Sequence, residues 1–390
     1  MNVMFCQLFS LFLSIGCQLN WLDIVYSYNY LAYNNKINVF CYKMKKEVFL
    51  FMFLFIFSCQ NMKEKEFTPI DLANAFAIDS PEVIYSFPDK YPTDISIRDT
   101  IAFIIQIKSD TCLMALNLNT QQIIQSFGIS GHGPNDIIFP LFISSINDIA
   151  VLLQDGFAKK LNIIDINERT KQFAVKKYMD CPNQIYPSGE TNISENFIVG
   201  RKVGRNERMF YVYNRSTDNV TEIDFYPKLK QLNPNRLNPD IDLNYLYASS
   251  IALNEERNRI LSGMYFFDMF HVYDLSGNRI KTCYFSQNYI PSFSSNASME
   301  DIIQKCNMGL IRSFPTKNYC YFLRAKRDSV DNMLIQVDWD GNFINAYHIT
   351  DDIQGQFYID EKDNTLYSIR HRIMSDGIEE VFEVVSYSLQ

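Results

Sequence analysis

One pattern recurs along the chain: a short apolar run, a polar quartet rich in Asn, Asp or Gly, then a second run in which apolar and polar residues alternate. It reads Leu113-Met-Ala-Leu-Asn117, Leu161-Asn-Ile-Ile-Asp165 and Phe210-Tyr-Val-Tyr-Asn214. It returns as Phe270-His-Val-Tyr-Asp274, Leu334-Ile-Gln-Val-Asp338 and Phe382-Glu-Val-Val-Ser386. Period-2 runs bounded by Asx- and Gly-rich quartets predict β-strands joined by tight turns. The turn positions lie 48, 49, 60, 64 and 48 residues apart. A four-stranded propeller blade needs roughly 40–50 residues, so the spacing predicts an all-β chain of six blades over residues 81–390. One helix is predicted, from Ser298 to Cys306, with Ser298 as its cap and Asp301 at the third position.

The last unit predicts how the ring closes. Each of the first five turns is followed by an outer strand: residues 122–127, 171–178, 219–226, 279–285 and 343–349. The sixth is followed only by the last residue, Gln390. A spare strand stands upstream, Glu82-Val-Ile-Tyr-Ser-Phe87, similar to the first outer strand, Gln122-Ile-Ile-Gln-Ser-Phe127. Residues 83–87 are therefore expected to complete the last blade, removing the open edge that invites aggregation.

Composition agrees with a strand-built fold. Of 390 residues 47% are hydrophobic and 15% aromatic, with 24 Tyr and 31 Phe. The net charge is −8 and no basic block follows residue 65, which argues against nucleic acid as a partner, because neutralising phosphates takes clustered Lys and Arg. The nine cysteines show no metal-ligand spacing. Cys306 and Cys320 could pair; otherwise these thiols are buried small hydrophobes.

The N-terminal region carries an address. Met44-Lys45-Lys46 is basic, residues 48–57 are an unbroken apolar run of ten, and Ser58-Cys59 follows. Ten apolar residues are too few to span a bilayer, but the order is that of a secretory signal. It resembles the lipobox of bacterial lipoproteins, which implies a lipid on Cys59, a signal peptide at 44–58 and an anchored tether at 59–80. Residues 1–43 are then expected to be an over-extended start. Gln60 stands where an Asp would signal inner-membrane retention in well-studied lipoproteins, so the resemblance implies an outer-membrane lipoprotein facing the periplasm or the cell surface.

The stretch Phe127-Gly128-Ile129-Ser130-Gly131-His132-Gly133-Pro134-Asn135-Asp136 resembles a Gly-x-Gly-Pro-x-Glu segment of TolB-like six-bladed propeller lipoproteins. Gly131, Gly133 and Pro134 match, and Asp136 stands in the acidic position. The resemblance implies the fold and no established reaction. Read from its residues, the loop is structural: Gly131 and Gly133 permit positive φ, Pro134 stiffens the exit and Asp136 accepts backbone N–H groups. The other reading gives His132 and the loop amides a ligand.

Enzyme signatures are missing. There is no Gly-x-Ser-x-Gly, no P-loop and no His-Glu-x-x-His, and the sequence designates no catalytic residue and no cofactor. His271 and His348 lie in strands, and His371 on a solvated strand face between two arginines. The expected role is a binding module for a glycan, peptide or envelope protein. The alternative is a metal-dependent hydrolase or lyase with its site in the central channel; its metal ligands cannot be read from the sequence. Connections from outer strands to the next inner strands emerge on one side of a propeller. Two of them, 227–247 and 286–309, stretch the repeat, and long loops on a rigid scaffold favour function. Arg236, Asp240, Tyr289 and Phe293 are the candidate contacts there, with His132 at the rim.

Overall fold

The computed structural model describes residues 68–389 except 79, 88–89, 134–135, 144–150, 157–159, 168, 171, 181, 183–190, 202–207, 228–241, 286–296, 307, 327–331, 352 and 374–379. Three strands come first: β1 (Thr68–Pro69), β2 (Phe76–Ile78) and β3 (Glu82–Phe87). Blade 1 is β4 (Tyr91–Arg98), β5 (Ile101–Ile107), β6 (Thr111–Asn117) and β7 (Gln122–Ile129). Blade 2 is β8 (Pro140–Ile143), β9 (Val151–Asp155), β10 (Lys160–Ile166) and β11 (Phe173–Asp180). Blade 3 is β12 (Asn192–Ile193), β13 (Phe197–Gly200), β14 (Phe210–Asn214) and β15 (Asn219–Ile223), followed by the one-turn helix α1 (Leu243–Leu246). Blade 4 is β16 (Ser249–Asn254), β17 (Arg259–Met264), β18 (Met269–Tyr273) and β19 (Arg279–Tyr284), followed by α2 (Met299–Lys305). Blade 5 is β20 (Met308–Pro315), β21 (Tyr319–Lys326), β22 (Asn332–Asp338) and β23 (Phe343–Ile349). Blade 6 is β24 (Ile353–Asp360), β25 (Thr365–Ile373) and β26 (Glu380–Ser388), with β3 as its fourth strand.

The recurring Asn and Asp residues do what their position suggests. The Asn117 side chain accepts from the N–H groups of Asn119 and Thr120, both at 2.9 Å. Asn214, Asp274 and Asp338 cap their turns in the same way. In blade 2 the job falls two residues later, to Asn167, and Asp165 instead pairs with Lys176. The expected helix is α2, with Ser298 and Asp301 forming a reciprocal capping box.

Six apolar clusters hold the ring, and each lies between two neighbouring blades. Phe103, Leu113 and Phe127 of blade 1 meet Phe142, Leu153 and Phe173 of blade 2. Leu161 of blade 2 meets Ile193, Ile198 and Tyr211 of blade 3. The 3/4, 4/5 and 5/6 boundaries are filled likewise. The sixth cluster closes the circle: Ile84, Phe87, Ile369 and Val384 against Ile95, Ile104 and Leu116 of blade 1. Fully burying one large apolar side chain is worth roughly 1.5–3 kcal/mol, so each boundary is a core in its own right. Polar clamps add register. The Gln125 amide donates to the Phe173 carbonyl at 2.9 Å and accepts from its N–H at 2.7 Å, linking blades 1 and 2.

Closure follows the expected strand. β3 runs antiparallel to β26, with Phe87 opposite Phe382, Tyr85 opposite Val384 and Glu82 opposite Ser386. The described part of the anchored tether expected at 59–80 is paired with the ring. Within it, β1 adds parallel to β19 and β2 adds parallel to β23, and Ile70 is buried in the 4/5 core. The physical reason is that Ile70, Leu72 and Ile78 give this stretch an apolar side that can cover open outer edges. Among the described cysteines, Cys112, Cys283, Cys306 and Cys320 are buried, and Cys306 and Cys320 form no disulfide with one another.

His271 sits fully inside blade 4. Its Nδ1 lies 3.0 Å from the Thr282 hydroxyl, while its Nε2 has no hydrogen-bond partner. Burial pushes its pKa down to about 3. Unfolding restores the ordinary value near 6.5, so between about 3 and 6.5 the unfolded chain holds the extra proton, and stability must fall as pH drops through that window. We expect a slope of up to about 1.4 kcal/mol per pH unit from this residue. Denaturant titrations of the wild type and His271→Gln between pH 4 and 7 check it: the variant should show the shallower dependence, and parallel curves would refute the assignment. His371 is half-buried: it stacks on Phe382 at 4.8 Å and lies 3.8 Å from the Glu380 carboxylate.

Candidate binding face and channel mouth

In a four-stranded antiparallel blade, the start of the first strand, the end of the second, the start of the third and the end of the fourth share one end of the sheet. The Gly128–Asp136 loop belongs to that end, leaving β7 for β8. Its backbone is tied at both sides: Ser130 N–H donates to the Asp110 carbonyl at 2.9 Å and Ile137 N–H to the Ile129 carbonyl at 2.9 Å. The Asp136 carboxylate turns inward and accepts from the Gly133 N–H at 2.7 Å. The role expected of Gly131 and Gly133 is corrected here. Positive φ occurs at Gly128 (+73°), not at these two. Gly131 and Gly133 are needed because the Asp136 carboxylate lies against both: an added Cβ would come within 2.5 and 2.7 Å of its Oδ2. The loop is thus a self-contained cradle for its own acidic residue. His132 is exposed on it, and Pro134 lies outside the described residues. Asp155, at the end of β9, secures the exit by accepting from Ile138 N–H at 3.1 Å.

Large apolar side chains are exposed around this loop. Ile129 is 64% exposed and Phe139 49%, with Ile107 and Ile138 beside them in the chain ends and connections of blades 1 and 2. Tyr91 starts β4 opposite Ile107; its ring carries the Lys108 ammonium 3.8 Å above it and meets the edge of Phe382 at 5.6 Å. Ile373, at the same end of blade 6, is 64% exposed. Tyr245 in α1 is also exposed and rests on Phe266. The apolar surface therefore spans the end of blades 6, 1 and 2. A sequence reading of long insertions misses it, because these residues sit at strand ends and in short connections. Cys59, Arg236, Asp240, Tyr289 and Phe293 all lie outside the described residues.

The inner strands supply the channel. Three of them are irregular near the same end: the ladders slip between Pro92 and Asp94 in β4, between Leu310 and Arg312 in β20, and between Ile353 and Phe357 in β24. These belong to the adjacent blades 1, 5 and 6. A bulge re-aims the side chain that follows it. Here Asp94 and Arg312, two blades apart, face one another with Arg312 Nη2 4.0 Å from Asp94 Oδ2. Asp94 is buried and accepts from the N–H groups of Ile95 (2.9 Å) and Phe142 (3.1 Å). Burial raises its pKa above the ordinary carboxylate range, against the opposing pull of Arg312 and the two N–H groups. Elsewhere in the channel wall Asn192 donates to the Ile251 carbonyl and Ser250 to that of Leu310. Among the described residues no group of three or more His, Cys, Asp or Glu could hold a metal ion.

Comparison with known proteins rests on this architecture. The family described as "TolB-like 6-blade propeller-like" matches residues 74–362. The chain belongs to the TolB-like six-bladed propeller family. No curated protein sequence matches it. Among solved structures, this TolB-like propeller is similar to a DUF4221-family protein from Bacteroides vulgatus, at 14% identity and TM-score 0.48, over 81% of this chain and 96% of that one. It is similar to a putative exported protein from Bacteroides fragilis, at 12% identity and TM-score 0.46, over 82% and 99%. TolB from Acinetobacter baumannii aligns at 9% identity and TM-score 0.36, over 76% of this chain and 63% of TolB.

Proposed function

We propose that this TolB-like propeller is a lipid-anchored binding module of the cell envelope, an outer-membrane lipoprotein facing the periplasm or cell surface. Its contact surface is the end of blades 6, 1 and 2. The observation that carries the reading is the exposure of Ile107, Ile129, Ile138, Phe139 and Ile373 at the end of blades 6, 1 and 2 that carries the tied Gly128–Asp136 loop. Contiguous exposed apolar surface marks interaction sites. Of a glycan, a peptide and an envelope protein, the aliphatic character favours a polypeptide, since isoleucines offer contact area without the stacking faces that sugars use. Lipidation of Cys59 would keep that surface near a membrane: Thr68 is nine residues further on, a reach of roughly 30 Å at most.

The test uses detergent-solubilised membranes and the full-length protein with a C-terminal tag. Partner capture by chemical cross-linking is compared between the wild type and Ile138→Asp/Phe139→Asp. Both side chains are exposed, so the unfolding midpoint should stay within about 0.5 kcal/mol of the wild type while capture is lost. Undiminished capture by the double variant would remove the face from consideration. Cys59→Ala, in the same strain, should leave the chain unprocessed or released from the membrane.

A further inference from the structure

Buried arginines elsewhere in this chain are fully engaged. Arg324 grips Asp268 through two hydrogen bonds of 2.7 and 2.8 Å, and Arg370 binds Glu383 and, at 3.2 Å, Asp351. Arg312 differs. Its side chain is only 14% exposed, yet it makes no hydrogen bond with any described residue, and its Nε is buried without a partner. A guanidinium carries five N–H donors, and withdrawing it from water uncompensated is costly. The one described carboxylate facing it, Asp94, stands at 4.0 Å, beyond hydrogen-bond reach, and already accepts from two backbone N–H groups.

The position is built. The slipped ladders in β4 and β20 immediately precede Asp94 and Arg312, so both side chains owe their aim to bulges. Ile311, the extra residue of the β20 bulge, is 36% exposed. We propose that Arg312 is the receptor group for a carboxylate-bearing ligand that enters the central channel from the proposed binding face. The reading rests on that face being the working one. The planar guanidinium fork matches a carboxylate in two parallel hydrogen bonds. Asp94 faces the same guanidinium at 4.0 Å, so a ligand carboxylate shares Arg312 with it, and a dianion is repelled more strongly than a monoanion. Such a carboxylate has two sources in an envelope, the end of a polypeptide and an acidic sugar.

N-acetylalanine and glucuronate represent the two sources, with N-acetylalaninamide and glucose as their neutral counterparts. Calorimetric titration and thermal unfolding of the purified full-length protein are the readouts. The expected result is saturable binding and an upward Tm shift with one of the acids and neither neutral compound. Arg312→Met should weaken that binding at least about tenfold; because the substitution also removes the charge facing buried Asp94, its Tm is read in the absence of ligand and the ligand-induced shift is taken from that baseline. Whichever acid binds names the source. Binding of neither acid by the wild type, equal binding of acid and neutral counterpart, unchanged affinity in Arg312→Met, or tighter binding of inorganic phosphate would each overturn the proposal. Should Arg312→Met fail to fold, the acid-against-neutral comparison on the wild type decides alone. Capture through Ile138 and Phe139 is measured separately, so loss of one reading is distinguishable from loss of the other.

Discussion

Deleting residues 83–87 is expected to unfold blade 6 or lower the stability of the whole ring by several kcal/mol. The strand brings Phe87, 1% exposed, and Ile84 into the core shared with blade 1. Truncating a buried Phe alone costs about 3–5 kcal/mol, and the deletion also strips the hydrogen-bonded ladder from β26. An open edge on β26 should further promote association between molecules. Equilibrium denaturation together with light scattering reads both effects; a midpoint equal to that of the wild type would disprove the closure. A disulfide offers the converse test. Because Tyr85 lies directly opposite Val384, the pair to convert is Tyr85→Cys with Val384→Cys. Tyr387, three residues on, faces Leu366 and donates its hydroxyl to Asp351.

The second large effect is expected at a single glycine. Gly309 in β20 passes against the backbone of Tyr265, in the connection between β17 and β18 of the preceding blade. A Cβ at this position would overlap the Tyr265 carbonyl oxygen and lie 2.6 Å from its carbonyl carbon. Neither group is a flexible side chain, so relief requires the backbones of blades 4 and 5 to part. Overpacking that only displaces side chains costs about 1–3 kcal/mol; moving two backbones should exceed it. Gly309→Ala should therefore lower the denaturation midpoint by more than any exposed substitution, with Gly133→Ala milder because its obstacle is the Asp136 side chain. A Gly309→Ala protein as stable as the wild type would show that the blades do not approach this closely.

Much of the architecture is legible in the residues because its causes are local. Strand and turn in the first five units are set by period-2 patterning and by an Asn or Asp, Asn167 in the second, whose side chain reaches a backbone N–H two to four residues away. Counting the repeats counts the blades, although the sixth turn expected at Ser386 is not a turn: Ser386 lies inside β26, paired with Tyr367, and β26 takes Glu82–Phe87 as its outer partner. The α2 capping box is local for the same reason. Register is less local: a one-residue slip in a bulge changes which residue faces which, and the slip between Val384 and Val385 fixes Tyr85 opposite Val384.

What only the tertiary structure decided is where distant backbones approach. Gly131 and Gly133 look like turn glycines, yet they are required by the volume of the Asp136 carboxylate folding back on them. Thr68–Pro69 and Phe76–Ile78 resemble a polar tether until the outer edges of β19 and β23 are present to pair with them. Ile129 and Ile373 end ordinary alternating strands and Phe139 precedes one, and their exposure among the described residues appears only in the folded ring. Asp94 and Arg312 are 218 positions apart, with no pattern linking them. Their meeting depends on two bulges and on the ring being closed, because a chain of blades brings opposite inner strands together only after the last blade has found the first strand.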